Sequence, residues 1–229
     1  MPATTIESYF AAKSDPVGAS TAPLTSAPTC PIAKANAPAE ASNPLCSSER
    51  DKPGRVDLEQ QFVDYFLTKA VNPTWRGKKL KGRRVAVFGK KYYWGDDATF
   101  DIKYLPQSFH KWCNTNKYTG YNSFLVNVYT ELSDNIGWHS DDTTNLKSGE
   151  VVSVSFAAKV QDRSKTLANM EFRYPNKKDP SGGRILKKEA LKHGTVVRFD
   201  AHKHKKKQCE HRVPKTLCAR VNVTMRSLK

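Results

Sequence analysis

The stretch from Arg220 to Arg226, Arg-Val-Asn-Val-Thr-Met-Arg, alternates without a break. Successive side chains of a β-strand point to opposite faces. Val221, Val223 and Met225 therefore make one face, and Arg220, Asn222, Thr224 and Arg226 the other. A helix would scatter both sets, so the stretch commits the chain to a sheet with one apolar face on a core. The other face carries two guanidinium groups and an amide with no acid among them. One reading is the solvated face of a terminal strand, the commoner setting for such residues. The other is a receptor for a dicarboxylate, because each guanidinium fork can hold a carboxylate through two parallel hydrogen bonds.

Residues 123–129 follow the same rule. Phe124, Val126 and Val128 share one face, and Leu125, Asn127 and Tyr129 the other. Asn127 and Tyr129 are ligand contacts or the wet side of an edge strand. Residues 84–90, 151–156, 169–174 and 195–200 are further predicted strands, with turn signals at Gly182-Gly183 and Lys192-His193-Gly194. Two helices are predicted. Leu58, Phe62 and Phe66 recur at helical spacing over 57–70, with Asp57 as cap and Asn72-Pro73 as stop. Leu105, Phe109, Trp112 and Cys113 give a second apolar stripe. Short strands separated by turns, with few helices after residue 120, predict a mainly β fold with flanking helices, a sandwich or jelly roll. Lys203-His-Lys-Lys-Lys207 reads as a basic loop that touches phosphates, is simply solvated, or forms part of a nuclear address.

Residues 1–55 differ in kind. They hold eight of the 13 prolines, and Tyr9 and Phe10 are their only aromatics. Such a segment buries too little apolar surface to offset its ordering entropy, which predicts a disordered tail before one domain over 56–229. The charges of the tail cancel, so the net charge of +16 belongs to the domain. That excess suits a polyanion such as nucleic acid, or is a merely basic surface. Cations interleaved with aromatics between Arg76 and Trp94 suit phosphate contact plus base stacking, or are aromatic core residues of a hairpin. Ile6, Tyr9 and Phe10 would cluster on one helical turn. They resemble the peptide by which replication and repair proteins bind a PCNA-type sliding clamp, with Ala3 where such peptides usually carry Gln.

Cysteine usage points to a reducing compartment: five residues, an odd number, with no Cys-x-x-Cys. No apolar run reaches membrane-spanning length and no secretory signal is visible, so neither membrane nor secretory system is expected.

His139 and Asp141 lie two apart, which on a strand places them on one face. His211 is the best third member of a 2-His-1-carboxylate facial triad, a set that suits non-haem Fe(II) and leaves positions open for reactants. His-x-Asp by itself is more often a chance pair on a surface turn.

Taken together, Asn127-Val-Tyr129, Gly137-Trp-His139-Ser-Asp141-Asp142, Ser153-Val-Ser-Phe156, His193-Gly194, His211-Arg-Val-Pro214 and Arg220-Val-Asn-Val-Thr-Met-Arg226 resemble the AlkB family of Fe(II)- and 2-oxoglutarate-dependent nucleic acid demethylases. The order and rough spacing match over about residues 57–228. The resemblance implies a monomer with a double-stranded β-helix (jelly-roll) core. His139, Asp141 and His211 would bind Fe(II). Asn127, Tyr129, Arg220, Asn222 and Arg226 would hold 2-oxoglutarate, with the carboxylate taken by each arginine left open. Asp142 would face the substrate. Phe88, on a nucleotide-recognition hairpin over about 76–104, would wedge into a duplex, and Phe100 would stack on a flipped base. The implied reaction removes methyl groups from 1-methyladenine and 3-methylcytosine in DNA as formaldehyde, in the nucleus or cytoplasm. An RNA demethylase of the same fold and a non-catalytic clamp adaptor are the alternatives. The family's Pro-Arg segment after Val87-Phe88-Gly89-Lys90 is missing, Thr143 replaces a common acid, and 157–168 reads as an insertion.

Overall fold

The computed structural model describes residues 57–75, 78–79, 81–92, 99–175 and 183–229. The tail, with Ile6, Tyr9 and Phe10, lies outside the described residues. Two sheets form the body. The six-stranded sheet runs β10-β7-β12-β5-β3-β4, built from β3 (Arg84–Gly89), β4 (Thr99–Phe100), β5 (Ser123–Tyr129), β7 (Leu146–Ala157), β10 (Val196–Asp200) and β12 (Arg220–Leu228). The four-stranded sheet runs β6-β11-β8-β9, from β6 (Ile136–His139), β8 (Thr166–Arg173), β9 (Ile185–Lys192) and β11 (Glu210–Val213). A separate ribbon pairs β1 (Thr74–Trp75) with β2 (Lys78–Lys79). The helices are α1 (Leu58–Lys69), α2 (Gln107–Thr115) and α3 (Ala201–Lys206). Antiparallel pairing joins every neighbouring pair of these strands except β3 and β4, and the two facing sheets make the expected jelly roll.

Alternation in β12 separates two interiors. Its apolar face, Val221, Val223 and Met225, joins Ala86, Phe88, Phe124, Val126, Val128, Val152, Val154 and Phe156 beneath α1 and α2. Phe62 of α1 meets Phe109 of α2 and Phe156 of the sheet edge-on, with ring centroids 5.1 and 5.0 Å apart, the arrangement that aromatic quadrupoles favour. Asp57 caps α1 by accepting from the Glu59 and Gln60 amides. Between the sheets lies a second core of Leu146, Val151, Met170, Phe172, Leu191, Val197 and Phe199. The polar face of β12 looks into this inter-sheet space.

Several expectations need correction. β12 is not a solvated terminal strand: it lies between β7 and β5, and Arg220 to Arg226 are all buried. β5 is no edge strand either, because β12 and β3 flank it and all seven of its residues are buried. Phe88 cannot be a duplex wedge. It is 0% exposed, in a strand paired with β5, and packs on Phe66 with centroids 5.6 Å apart. Phe100, opposite Phe88 on β4, stacks on it at 5.2 Å and joins the same helix-side core. Both aromatics thus sit on the sheet face away from β12's polar residues. The basic loop at 203–207 is largely helix: Asp200 caps α3 by accepting from the Lys203 amide, and Gln208 in the left-handed region (φ 56°) follows its end. β9 was not anticipated, because Ile-Leu-Lys-Lys-Glu-Ala-Leu-Lys has the lysine content of a loop; as an edge strand it exposes much of that charge.

Candidate metal and cosubstrate centre

β6 and β11 pair so that His139 stands directly opposite His211. Directly opposed residues share a face, and the two rings lie 4.2 Å apart between centroids. Asp141 follows two residues after the end of β6. The ligand atoms of His139, Asp141 and His211 all lie within 4.8 Å of one another, and no other such group of three occurs among the described residues. Nδ1 of His139 lies 2.8 Å from the Gly137 carbonyl, which can only accept. That nitrogen therefore carries the proton, and Nε2 keeps its lone pair for a metal. Burial lowers the pKa of His139, and burial together with the neighbouring His139 pushes that of His211 well down. Both rings are held neutral, the form a metal needs.

Asp141 is drawn the other way. Burial acts to raise its pKa, but Arg226, His211 and His139 together hold it at about 2. The Arg226 guanidinium donates to its Oδ2 at 2.9 Å, with both side chains buried. This leaves Oδ1 for a metal. Two imidazoles on paired strands and a carboxylate from the segment just after β6, with their ligand atoms gathered together, fit Fe(II).

Behind the triad the polar face of β12 meets polar residues of both neighbours. Asn222 is opposite Asn127 on β5 and Ser155 on β7, and Arg220 is opposite Tyr129. Asn222 Nδ2 donates to Ser153 Oγ at 2.8 Å and to the Val154 carbonyl at 3.0 Å, while Thr224 donates to its Oδ1. Asn127 Oδ1 accepts from Arg83 Nε at 2.8 Å. Arg220 is 1% exposed and stacks over Tyr129 at 3.9 Å, and its hydrogen bond to Ser155 Oγ is a long 3.5 Å. Its Nε and Nη2, and Nε and Nη1 of Arg226, are buried without a hydrogen-bond partner among the described residues. Buried guanidinium donors are normally satisfied, since each lost hydrogen bond to a charged group costs roughly 1.5–3 kcal/mol. Two guanidinium groups with open donors beside a metal-ligand cluster fit a dianion such as 2-oxoglutarate.

All of the expected metal and cosubstrate residues are therefore drawn to one inter-sheet space. Asp142 sits at its margin and is exposed, and its Oδ1 accepts from the Thr144 amide and hydroxyl. Slight burial works against ionisation, but those hydrogen bonds and the charge of Lys205 lower its pKa. Phe88 and Phe100 are not brought to the centre. Sequence reasoning assigned no role to Ser153 and Ser155, which fix Asn222, or to Tyr92, whose ring lies 3.7 Å from the Arg226 guanidinium. It also missed Trp138. On the face of β6 opposite His139, this indole is sandwiched between Arg173 and Arg212, at 4.2 and 4.4 Å. Each arginine is pinned by a carboxylate of the adjacent strand, Arg173 by Glu210 and Arg212 by Glu171. A Trp flanked in sequence by Gly and His gave no sign of this; the guanidiniums come from two other strands.

Three comparisons bear on this geometry. The 2OG-Fe(II) oxygenase superfamily profile matches residues 89–226. The chain is similar to the alpha-ketoglutarate-dependent dioxygenase alkB homolog 3 of Rattus norvegicus, at 31% identity over 197 residues, which is 77% of this chain but only 62% of that protein. A prolyl hydroxylase from Trichoplax adhaerens, solved in complex with a hypoxia inducible factor peptide fragment, is 13% identical with a TM-score of 0.48, covering 75% of this chain and 76% of its own. A Pseudomonas putida prolyl-4-hydroxylase is 9% identical with a TM-score of 0.40, covering 74% and 86%. With the profile spanning more than half of its length and reaching from the end of β3 through Arg226, the chain belongs to the 2OG-Fe(II) oxygenase superfamily, whose metal is Fe(II) and whose cosubstrate is 2-oxoglutarate.

Proposed function

We propose that this dioxygenase removes N-methyl groups from bases of nucleic acid, with 1-methyladenine and 3-methylcytosine in DNA as substrates, by direct reversal in the nucleus. The observation that carries the reading is the likeness to a rat AlkB homologue across 77% of the chain, joined to a net charge of +16 on the domain that holds the site. His139, Asp141 and His211 hold the metal on one side. Arg226, already against Asp141, receives the cosubstrate carboxylate nearer the metal. Arg220, beside Tyr129 and Ser155, would receive the other carboxylate. Asn222 keeps the floor between them in place. When bound, Fe(II), 2-oxoglutarate and O2 supply the oxidant that hydroxylates the N-methyl carbon, with succinate and CO2 as the other products. The hydroxymethyl group then leaves as formaldehyde.

A methylated base must leave its stack to reach a site between two sheets, and damage that blocks pairing lowers that cost. With Phe88 in the core, no wedge is provided by β3, which favours a single strand as substrate. RNA is the second reading for the same reason. The test uses an oligonucleotide carrying either lesion as single-stranded DNA, duplex DNA and RNA, with Fe(II), 2-oxoglutarate and a His139→Ala control. Repair of single strands that depends on His139 supports the reading. Metal-loaded protein that turns over none of the three rejects it.

A further inference from the structure

The lysines of α3 have no role in holding metal or cosubstrate, yet the helix is tied to the centre. His204 is the one member of the basic run that turns inward, 2% exposed, with neither ring nitrogen hydrogen-bonded. Its ring stacks on Phe199 at 4.9 Å with planes 10° apart, and Phe199 in turn lies 5.1 Å from the ring of His211. Burying an unpaired imidazole is unfavourable. What it achieves here is a fixed orientation: with His204 anchored, Lys203, Lys205, Lys206 and Lys207 stay exposed.

The charge of Lys205 and Lys206 is left unmatched among the described residues. On β9, Lys187 faces Glu189 and Lys188 faces Glu171. On α3, Lys203 lies 3.4 Å from Asp200, which already caps the helix, while Lys205 and Lys206 make no ion pair among the described residues. The stack of His204 on Phe199, which in turn meets the His211 ring, puts the helix beside the centre. Just past the C-terminal end of α3 lies an open cavity of about 410 Å³ lined by Tyr174, Pro175, Lys207 and Gln208. Exposed ammonium groups thus cluster on a short helix that packs against the centre and ends at a hollow with an aromatic wall. Such a cluster of cations suits the phosphates of a nucleic-acid strand, and the hollow suits a flanking base.

We infer that α3 is the phosphate-binding rim of the site, and that the strand carrying the target base crosses Lys203, Lys205, Lys206 and Lys207 as it enters. This rests on the demethylase reading and adds the surface by which the substrate is held. The test is fluorescence anisotropy of the full chain, loaded with Mn(II) and 2-oxoglutarate, against a labelled unmodified single-stranded oligonucleotide over a series of salt concentrations. The variant replaces all four lysines with Gln, which preserves helix propensity. Single-strand contacts contribute about 0.7 each to the slope of log affinity against log salt, so the variant should lose a slope of about 2–3 and bind at least about tenfold more weakly near 0.1 M salt. Its melting temperature and Mn(II) affinity should match the wild type. An unchanged slope in a folded variant overturns the rim and leaves the demethylase reading standing. Wild-type protein that binds no oligonucleotide overturns both. Displacement of the oligonucleotide by polyglutamate at equal charge concentration would show an unspecific acidic-partner surface and reject the rim.

Discussion

Arg220 and Arg226 sit on the same strand face, both nearly sealed from water, but their electrostatic situations are opposite. Arg226 is neutralised by Asp141, whereas Arg220 has an aromatic ring and a distant hydroxyl. Removing one partner of a buried ion pair costs roughly 3–5 kcal/mol, while replacing a poorly compensated buried charge by an apolar side chain of similar volume is often neutral or stabilising. Arg226→Met should therefore lower the urea midpoint substantially. Arg220→Met should leave it unchanged or raise it, yet abolish 2-oxoglutarate binding measured by calorimetry on the Mn(II) form. Arg220→Lys keeps a charge but loses the planar fork, so the KM for 2-oxoglutarate in succinate formation should rise at least about tenfold, or ~1.4 kcal/mol, with kcat less affected. Equal destabilisation by both Met substitutions would refute the distinction.

At the scale of single elements, β6 is short, lies at a sheet edge and carries a metal ligand as its last residue. The guanidinium–indole–guanidinium stack on its reverse side holds it to β11 and β8. Trp138→Ala should weaken Mn(II) binding about 10–100-fold, the range seen when groups behind metal ligands are lost, while Trp138→Phe should restore part of it. Unchanged Mn(II) affinity in the Ala variant would show the stack to be incidental. Phe88→Ala should cost roughly 3–5 kcal/mol in urea unfolding, as for any large core aromatic. A substitution that left stability intact and impaired only duplex repair would restore the wedge. The contrast shows where the sequence was legible. Strand alternation gave the two faces of β12 and β5, and the His139–Asp141 spacing gave half of the triad. Which polar face is buried depends on neighbours along the sheet, and both neighbours of β12, β5 and β7, lie far from it in sequence. Val87-Phe88-Gly89-Lys90 looked like a hairpin tip because nothing local in it records that α1 covers it.

For the molecule as a whole, Glu59 is the point at which both long helices meet the sheets through polar contacts. Glu59 of α1 is 2.9 Å from Nε2 of His193, at the turn between β9 and β10, and accepts from the Trp112 indole. Burial works to raise the Glu59 pKa, but His193, Arg163 and Trp112 bring it below the ordinary 4.5. A carboxyl depressed in the folded state stabilises fully above its unfolded pKa, and that contribution is lost as pH falls through the lower folded value. Thermal stability should therefore drop below about pH 4.5, the ordinary carboxyl range, and Glu59→Gln should be less stable at pH 7 with a shallower acid limb. Identical acid limbs would exclude the link as a source of acid sensitivity.

The central place of β12 has a consequence for how such a chain is made. β10 and β7 pair with each other, and so do β5, β3 and β4, but the two groups meet only through β12, which follows them all in the sequence. During synthesis each group waits with an open hydrogen-bonding edge until residues 220–228 leave the ribosome. Open edges of apolar strands are templates for aggregation. A nascent chain stalled before Arg220 would expose two of them at once, already bearing His139, Asp141 and His211 but no floor on which to hold the cosubstrate.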